Sequence, residues 1–375
     1  MAMKKSDTAA EDITGDLAVE TFGVSKSYGQ VRAVDEISVK VESGKYFVLL
    51  GPSGGGKTTL LRLIGGFVRP DAGRVLLHGQ DVSNLPPNKR STSMVFQSYA
   101  LFPHMSVEKN VSYGLKLLKL PAPEIAEKVA SILELVGLKG YNGRMPHELS
   151  GGQQQRVQLA RSLVLESDIL LLDEPLASLD ANLRKDMCHE LKRIQEQVGI
   201  TFIHVTHNQE EALTIADRIA IIADGKMIEE GVPKEIYEWP RKKFTADFIG
   251  QNNLIDGKII GIDGNHVTID LGFATVTVPR SEQSPDKGAE VTVSVPAEMI
   301  EITKEAPQDN EVSQFLQVVY EKETYLGFGS QHQILLPDGN GFVAMTKSSG
   351  EPFRLTHGDI AYIVWPTASA RLHTS

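Results

Sequence analysis

The run Gly51-Pro52-Ser53-Gly54-Gly55-Gly56-Lys57-Thr58, with Thr59 after it, has the residue types and spacing to hold phosphate. It fits G-x-x-x-x-G-K-[ST], follows the apolar run Tyr46-Phe47-Val48-Leu49-Leu50 and opens a helical segment, Thr59-Leu60-Leu61-Arg62-Leu63-Ile64. That is the strand, loop and helix setting the motif requires. Glycines let backbone N–H groups turn inward around phosphate oxygens, and the helix N-terminus adds partial positive charge. Lys57 then reaches the terminal phosphates and Thr58 can hold Mg²⁺, so the predicted ligand is a nucleoside triphosphate.

Asp173-Glu174 ends the aliphatic run Ile169-Leu170-Leu171-Leu172. Phosphoryl chemistry needs such a pair, one carboxylate to hold Mg²⁺ through its water shell and one to orient or deprotonate the attacking water. In Leu149-Ser150-Gly151-Gly152-Gln153-Gln154-Gln155-Arg156, Ser150 reads as a helix N-cap with Gln153 closing a capping box. Two glycines there leave the first N–H groups uncovered, which makes either a second anion site or merely a well-capped helix. Tyr28, between Ser27 and Gly29, is open to two readings, a packing residue or a platform for a base.

These groups need a scaffold. Alternating segments around Leu17–Phe22 and Val34–Val41 predict an antiparallel edge before the loop. Buried-parallel-strand runs follow at Ser93–Phe96, Ile169–Leu172, Thr201–Val205 and Arg218–Ile222, ending in Gln97, Asp173 with Glu174, Thr206 with His207, and Asp224. In an open α/β sheet the ligand lies beyond such carboxyl ends. Apolar stripes Ile125, Val129, Ile132, Leu133, Val136 and Leu183, Met187, Leu191, Ile194, Val198 predict helices, the first stopping at Gly137 and the second starting behind Asp180. From about 98 to 165 helices succeed one another without a strand, which predicts a helical subdomain. Past Phe248-Ile249-Gly250 short alternating segments cut by Asp-Gly, Gly-Asn and Pro predict a separate all-β domain. Within it Gly288…Pro296 and Gly358…Pro366 each place a glycine eight positions before a proline, either as two related units or by coincidence.

Composition bounds the rest. The 375 residues are 41% hydrophobic and 23% charged, enough for more than one core. A net charge of −10 argues against general nucleic-acid binding. The single cysteine, Cys188, precludes an intramolecular disulfide and suits a reducing compartment. No apolar run approaches the ~20 residues that span a bilayer, and the N-terminus lacks signal-peptide character. Residues 1–16 are polar and aperiodic, predicting a disordered tail.

The phosphate loop, Gln97, Leu149-Ser150-Gly151-Gly152-Gln153, Leu170-Leu171-Leu172-Asp173-Glu174, Ser178-Leu179-Asp180 and His207 come in the order found in the ATP-binding subunits of ABC transporters. The chain from about 17 to 250 resembles them. The resemblance implies an α/β P-loop NTPase fold, a RecA-like sheet core plus the helical subdomain, with ATP and Mg²⁺ as cofactors. Tyr28 corresponds to the aromatic that stacks on adenine, and Gly51, Ser53, Gly54, Gly55, Gly56, Lys57, Thr58 and Thr59 to the phosphate loop. Thr58, Gln97 and Asp173 take the metal side, Gln97 also sensing the γ-phosphate and linking the site to the membrane partner. Glu174 corresponds to the general base and His207 to the switch histidine. Ser150, Gly151, Gly152 and Gln153 resemble the signature that contacts the opposite subunit's nucleotide, which implies a homodimer. Ala177 departs from a common serine, and Asn208 from the usual aspartate, a change Asn should tolerate as a cap.

Residues 251–375 resemble the small OB-like regulatory barrel of importers for polyamines, ferric iron, sulfate and sugars, with Val295-Pro296-Ala297-Glu298 where Val-Arg-Pro-Glu is frequent. Phe248-Ile249-Gly250-Gln251-Asn252-Asn253-Leu254 points to the polyamine-type branch. The expected function is ATP hydrolysis energising solute import through two integral-membrane permease subunits, served by a periplasmic solute-binding protein. The chain would then sit peripherally at the cytoplasmic face of the inner membrane. The alternatives are import of ferric iron, sulfate or sugar, or a non-transport ABC ATPase, which would want coiled-coil insertions or basic extensions.

Overall fold

The computed structural model describes residues 16–98, 100–280, 284–307, 313–347 and 355–374, so the expected tail falls outside them apart from Asp16. By contacts the chain divides into two units that meet between Pro233 and Lys234.

Six strands, most of them aliphatic, pair side by side in the first unit. The sheet order is Lys226–Gly231, Arg218–Ala223, Tyr46–Leu50, Thr201–Thr206, Ile169–Asp173, Thr92–Val95, and only the first pairing is antiparallel. Tyr46–Leu50 and Ile169–Asp173 are buried at every residue, as continuous apolar runs in a doubly covered parallel sheet should be. Register decides where the chemistry goes. Leu50 lies opposite Thr206 and Asp173 opposite Val205, so Gly51, His207 and Glu174 emerge along one carboxyl edge.

An antiparallel sheet, ordered Val31–Ile37, Leu17–Tyr28, Ala72–Leu77, Gln80–Asp81 with Lys40–Glu42 also on Leu17–Tyr28, shares a core with the first. The helix Lys57–Gly65 contributes Leu60, Leu61, Leu63 and Ile64 to that core, all at most 1% exposed. Burial on several faces fixes the helix, and with it the phosphate loop that precedes it. Between the strands Thr92–Val95 and Ile169–Asp173 the described elements are the helices Val107–Leu117, Ala122–Leu135 and Gly151–Leu163 and the 3₁₀ turn Pro146–Glu148, joined by loops. Among the described residues no helix is long and apolar enough to cross a membrane.

The second unit starts earlier than the expected boundary near Gly250. The reason is local: Asn252 Nδ2 donates to Ala246 O and Ile249 O at 2.8 and 2.9 Å, and Lys243 Nζ lies 3.1 Å from Asp256 Oδ1. These bonds tie the helix Lys243–Phe248 to the strand Asn252–Asp263. The expected all-β domain consists of two five-stranded antiparallel sheets around one apolar core. The two glycine-to-proline segments form equivalent units, a strand (Glu290–Pro296, Ile360–Pro366), a 3₁₀ turn (Ala297–Met299, Thr367–Ser369) and a short strand (Glu301–Thr303, Arg371–His373). Each short strand pairs with the other unit's long one, so the two sheets exchange edges.

Candidate active site

The loop after Tyr46–Leu50 turns sharply because its glycines have no Cβ. A Cβ on Gly51 would sit 1.9 Å from the Ile222 carbonyl oxygen, and one on Gly56 2.2 Å from that of Ala33. Gly56, at φ 103°, is the N-cap of Lys57–Gly65, with no side-chain cap bond, so the helix presents bare N–H groups. Ser53 and Gly54 are exposed at the tip, and Thr58 and Thr59 are half-buried. Lys57 is buried and its Nζ donates to Gly51 O and Pro52 O, both at 2.7 Å. Burial pulls its pKa below the ordinary lysine value, opposed by the nearby Glu174 and Asp173 carboxylates.

Thr58 Oγ1 donates to Asp173 Oδ1 at 2.8 Å, and Arg62, one helical turn on, brings Nη2 within 3.8 Å of Asp173 Oδ2. Burial pushes the Asp173 carboxyl up, and the Thr58 bond and the Arg62 charge pull it back. Beside it Glu174 adopts φ 46°, a left-handed conformation costing a non-glycine residue roughly 1–2 kcal/mol. Its N–H donates to Val205 O at 3.0 Å, which holds the turn. The turn aims the side chain along the sheet edge, where Gln97 Nε2 donates to Oε2 at 3.3 Å and His207 Nδ1 lies 3.4 Å from the same atom. A carboxylate so fixed can accept a proton from a water on its open side.

Ser150 caps the helix Gly151–Leu163 through a capping box: Gln153 N–H donates to Ser150 Oγ and Ser150 N–H to Gln153 Oε1. Gln153 Nε2 also reaches Tyr141 OH at 3.4 Å. Among the described residues no hydrogen bond or ion pair links residues 150–153 to the phosphate loop, Gln97, Asp173, Glu174 or His207. One chain therefore brings together every expected site residue except this segment and Tyr28. Tyr28 is 50% exposed, with Lys26 Nζ 5.9 Å from the centre of its ring.

A model of the family described as ABC transporter matches residues 34–177. The chain is 46% identical over 93% of its length to the spermidine/putrescine import ATP-binding protein PotA of Thermobifida fusca, covering 91% of that protein. It is 45% identical to the protein of the same name from Mesorhizobium japonicum, over 89% of this chain and 92% of that one. The chain belongs to the ABC transporter family. It is an ATP-binding subunit with ATPase activity. Among solved structures, cbiO1 of Clostridium perfringens, part of the ABC transporter complex cbiONQ, aligns at TM-score 0.56 and 31% identity, covering 59% of this chain and 90% of that one. A nucleotide-free ATP-binding cassette from an ABC transporter aligns at TM-score 0.53 and 28% identity, covering 58% and 91%.

Sequence reasoning missed several supports of this ABC site. Arg62 carried a signal, since it stands one turn beyond Thr58 on the same helix face. Asp71 did not: its carboxylate accepts from Lys26 Nζ at 2.6 Å and Ser27 N–H at 2.8 Å, fixing the strand that carries Tyr28. Beneath His207, Asn208 Oδ1 accepts from Glu211 N–H at 3.0 Å, so the asparagine caps as expected. Glu211, 4% exposed, accepts from Thr206 Oγ1 at 2.6 Å and lies 3.5 Å from Arg184 Nε.

Proposed function

We propose that the chain hydrolyses ATP to drive import of spermidine or putrescine. It would work as a homodimer with two integral-membrane permease subunits at the cytoplasmic face of the inner membrane, fed by a periplasmic solute-binding protein. The names of the relatives support the polyamine and the import direction. The observation that carries the chemistry is Glu174, held between Gln97 and His207 beside the phosphate loop.

In this reading the loop N–H groups and Lys57 hold the β- and γ-phosphates, and Tyr28 stacks on adenine. Thr58, Asp173 and Gln97 would hold Mg²⁺. The donor set fits, being hydroxyl, carboxylate and amide oxygen. Among the described residues no cluster of three His, Cys, Asp or Glu could hold a metal ion alone. When bound, Mg²⁺ neutralises charge on the phosphate oxygens. Glu174 takes the proton of the attacking water, His207 holds the γ-phosphate, and Gln97 reports its presence. Residues Ser150, Gly151, Gly152 and Gln153 of a second copy close the site with another helix N-terminus.

The test is Glu174→Gln. The amide still hydrogen-bonds but cannot accept the proton, so ATP affinity should stay and turnover should fall at least about a hundredfold. Hydrolysis within a few-fold of wild type would remove Glu174 as the base. Uptake of labelled spermidine by cells lacking the chain, with and without its return, tests the solute, and uptake that never depends on it rejects polyamine.

A further inference from the structure

Gln158, on the helix that Ser150 caps, is 0% exposed. Its Nε2 donates to Phe96 O at 3.0 Å and Ser98 O at 3.3 Å, the carbonyls on either side of Gln97. One turn on, Arg161 Nη1 donates to Ala100 O at 2.7 Å, and its guanidinium lies 5.5 Å from the centre of the Phe102 ring. The signature helix therefore holds the backbone around Gln97. The Gln97 side chain instead donates to Glu174 at the sheet edge.

Gln158 Oε1 is buried without a hydrogen-bond partner among the described residues. An apolar side chain would fill this place without orphaning an acceptor, so what the amide adds is its two N–H bonds to the flanks of Gln97. Those carbonyls have no other side-chain donor in the described bonds, and Ser98 is exposed, so water can replace the amide at little cost in stability while the position of the loop is lost. Ser150 stands eight residues before Gln158, roughly 12 Å along the same rigid helix.

We propose that Gln158 is a positioning residue for hydrolysis, joining the Gln97 backbone to the Ser150 helix so that a shift of Gln97 at the γ-phosphate and a shift of Ser150 are one movement. The proposal rests on the reading of Gln97 as the γ-phosphate sensor.

The test is ATP turnover by the full-length protein carrying Gln158→Met, which keeps the length of the side chain and removes both donors. kcat should fall roughly ten- to a hundredfold through misplacement of Gln97, with KM for ATP and melting temperature little changed. In a Gln97→Ala background the same substitution should cost nothing more, because the path it serves is already cut. Gln158→Leu removes the donors with a different shape and should show the same coupling. If Gln97→Ala slows turnover but the Gln158 variants slow it equally in both backgrounds, or leave it unchanged, Gln158 does not act through Gln97 and the proposal is overturned. A lowered melting temperature with matched losses in KM and kcat marks a purely structural residue and also overturns it. If Gln97→Ala alone has no effect, the reading of Gln97 fails and this proposal falls with it.

Discussion

Thr58 and Asp173, 115 residues apart in the chain, meet in a 2.8 Å hydrogen bond that joins the helix after the phosphate loop to the neighbouring strand end. The hydroxyl is the donor, so the Asp173 carboxylate keeps a lone pair and its charge for a cation. Asp173→Asn keeps an acceptor for Thr58 and removes the charge. Nucleotide affinity in chelator should be unchanged, while the gain on adding Mg²⁺ should fall on the order of ten- to a hundredfold. Titration of ATP with and without Mg²⁺ measures both, and an undiminished Mg²⁺ effect would take Asp173 off the metal side.

Two glycines of the loop should respond differently to the same added methyl. On Gly51 a Cβ meets the Ile222 carbonyl oxygen at 1.9 Å, backbone that cannot yield without moving the strand Arg218–Ala223. On Gly54 it meets nothing within 4 Å, and only the φ of +81° opposes it, at roughly 1–2 kcal/mol. Gly51→Ala should abolish ATP binding and lower the melting temperature sharply. Gly54→Ala should melt within a few degrees of wild type. Equal losses in the two would disprove the steric account.

Acid should unfold the ATPase unit through His204. The ring is fully buried, Nδ1 2.9 Å from Tyr46 OH and Nε2 3.7 Å from Glu211 Oε2, and burial pulls its pKa from 6.5 to about 3. Below 6.5 the unfolded chain binds a proton that the native state refuses until about 3, so stability is full above 6.5 and declines as pH falls through that window. By pH 5 the loss is about 2 kcal/mol. Glu211, which burial pushes up, acts with opposite sign, because its native carboxyl protonates first on acidification. His204→Gln should flatten the decline of melting temperature between pH 7 and 5, and an unchanged slope would assign acid sensitivity elsewhere.

Much of this was legible because local rules and global fold agree. Continuous aliphatic runs such as Ile169–Leu172 can be buried on both faces only in a covered parallel sheet, and caps at Ser150, Asp180 and Asn208 each announced a helix that forms there. What stayed hidden depends on which surfaces meet. Nothing in Lys243–Phe248 declares that Asn252 will clasp its end, a contact that groups this helix with the second unit. The repeated glycine-to-proline spacing was visible, but the exchange of Glu301–Thr303 and Arg371–His373 between sheets is a matter of pairing that spacing does not encode. Gln158 is one of several glutamines on the helix Gly151–Leu163, and its residue type alone does not set it apart. Its role depends on the carbonyls of a loop 60 and 62 residues away.

The remaining prediction concerns where the second half of each site comes from. Within one chain residues 150–153 bond to their own helix and to Tyr141 rather than to the phosphate loop. The shared-site reading therefore needs the signature of a second copy. Lys57→Ala strips the ammonium from the loop, and Ser150→Arg puts a bulky side chain where the γ-phosphate should meet the capped helix. Either homodimer alone should fail to trap ATP. Mixed together, they form heterodimers in which the intact loop of the Ser150→Arg chain faces the intact signature of the Lys57→Ala chain, restoring one site. If loop and signature served one site within a single chain, both sites of the heterodimer would carry a lesion and nothing would return. Trapped nucleotide per dimer in a Glu174→Gln background is the measurement, since turnover can require both sites and stay silent with one intact. Verified heterodimers that trap no ATP would reject the shared site, and trapping near one ATP per heterodimer would establish it.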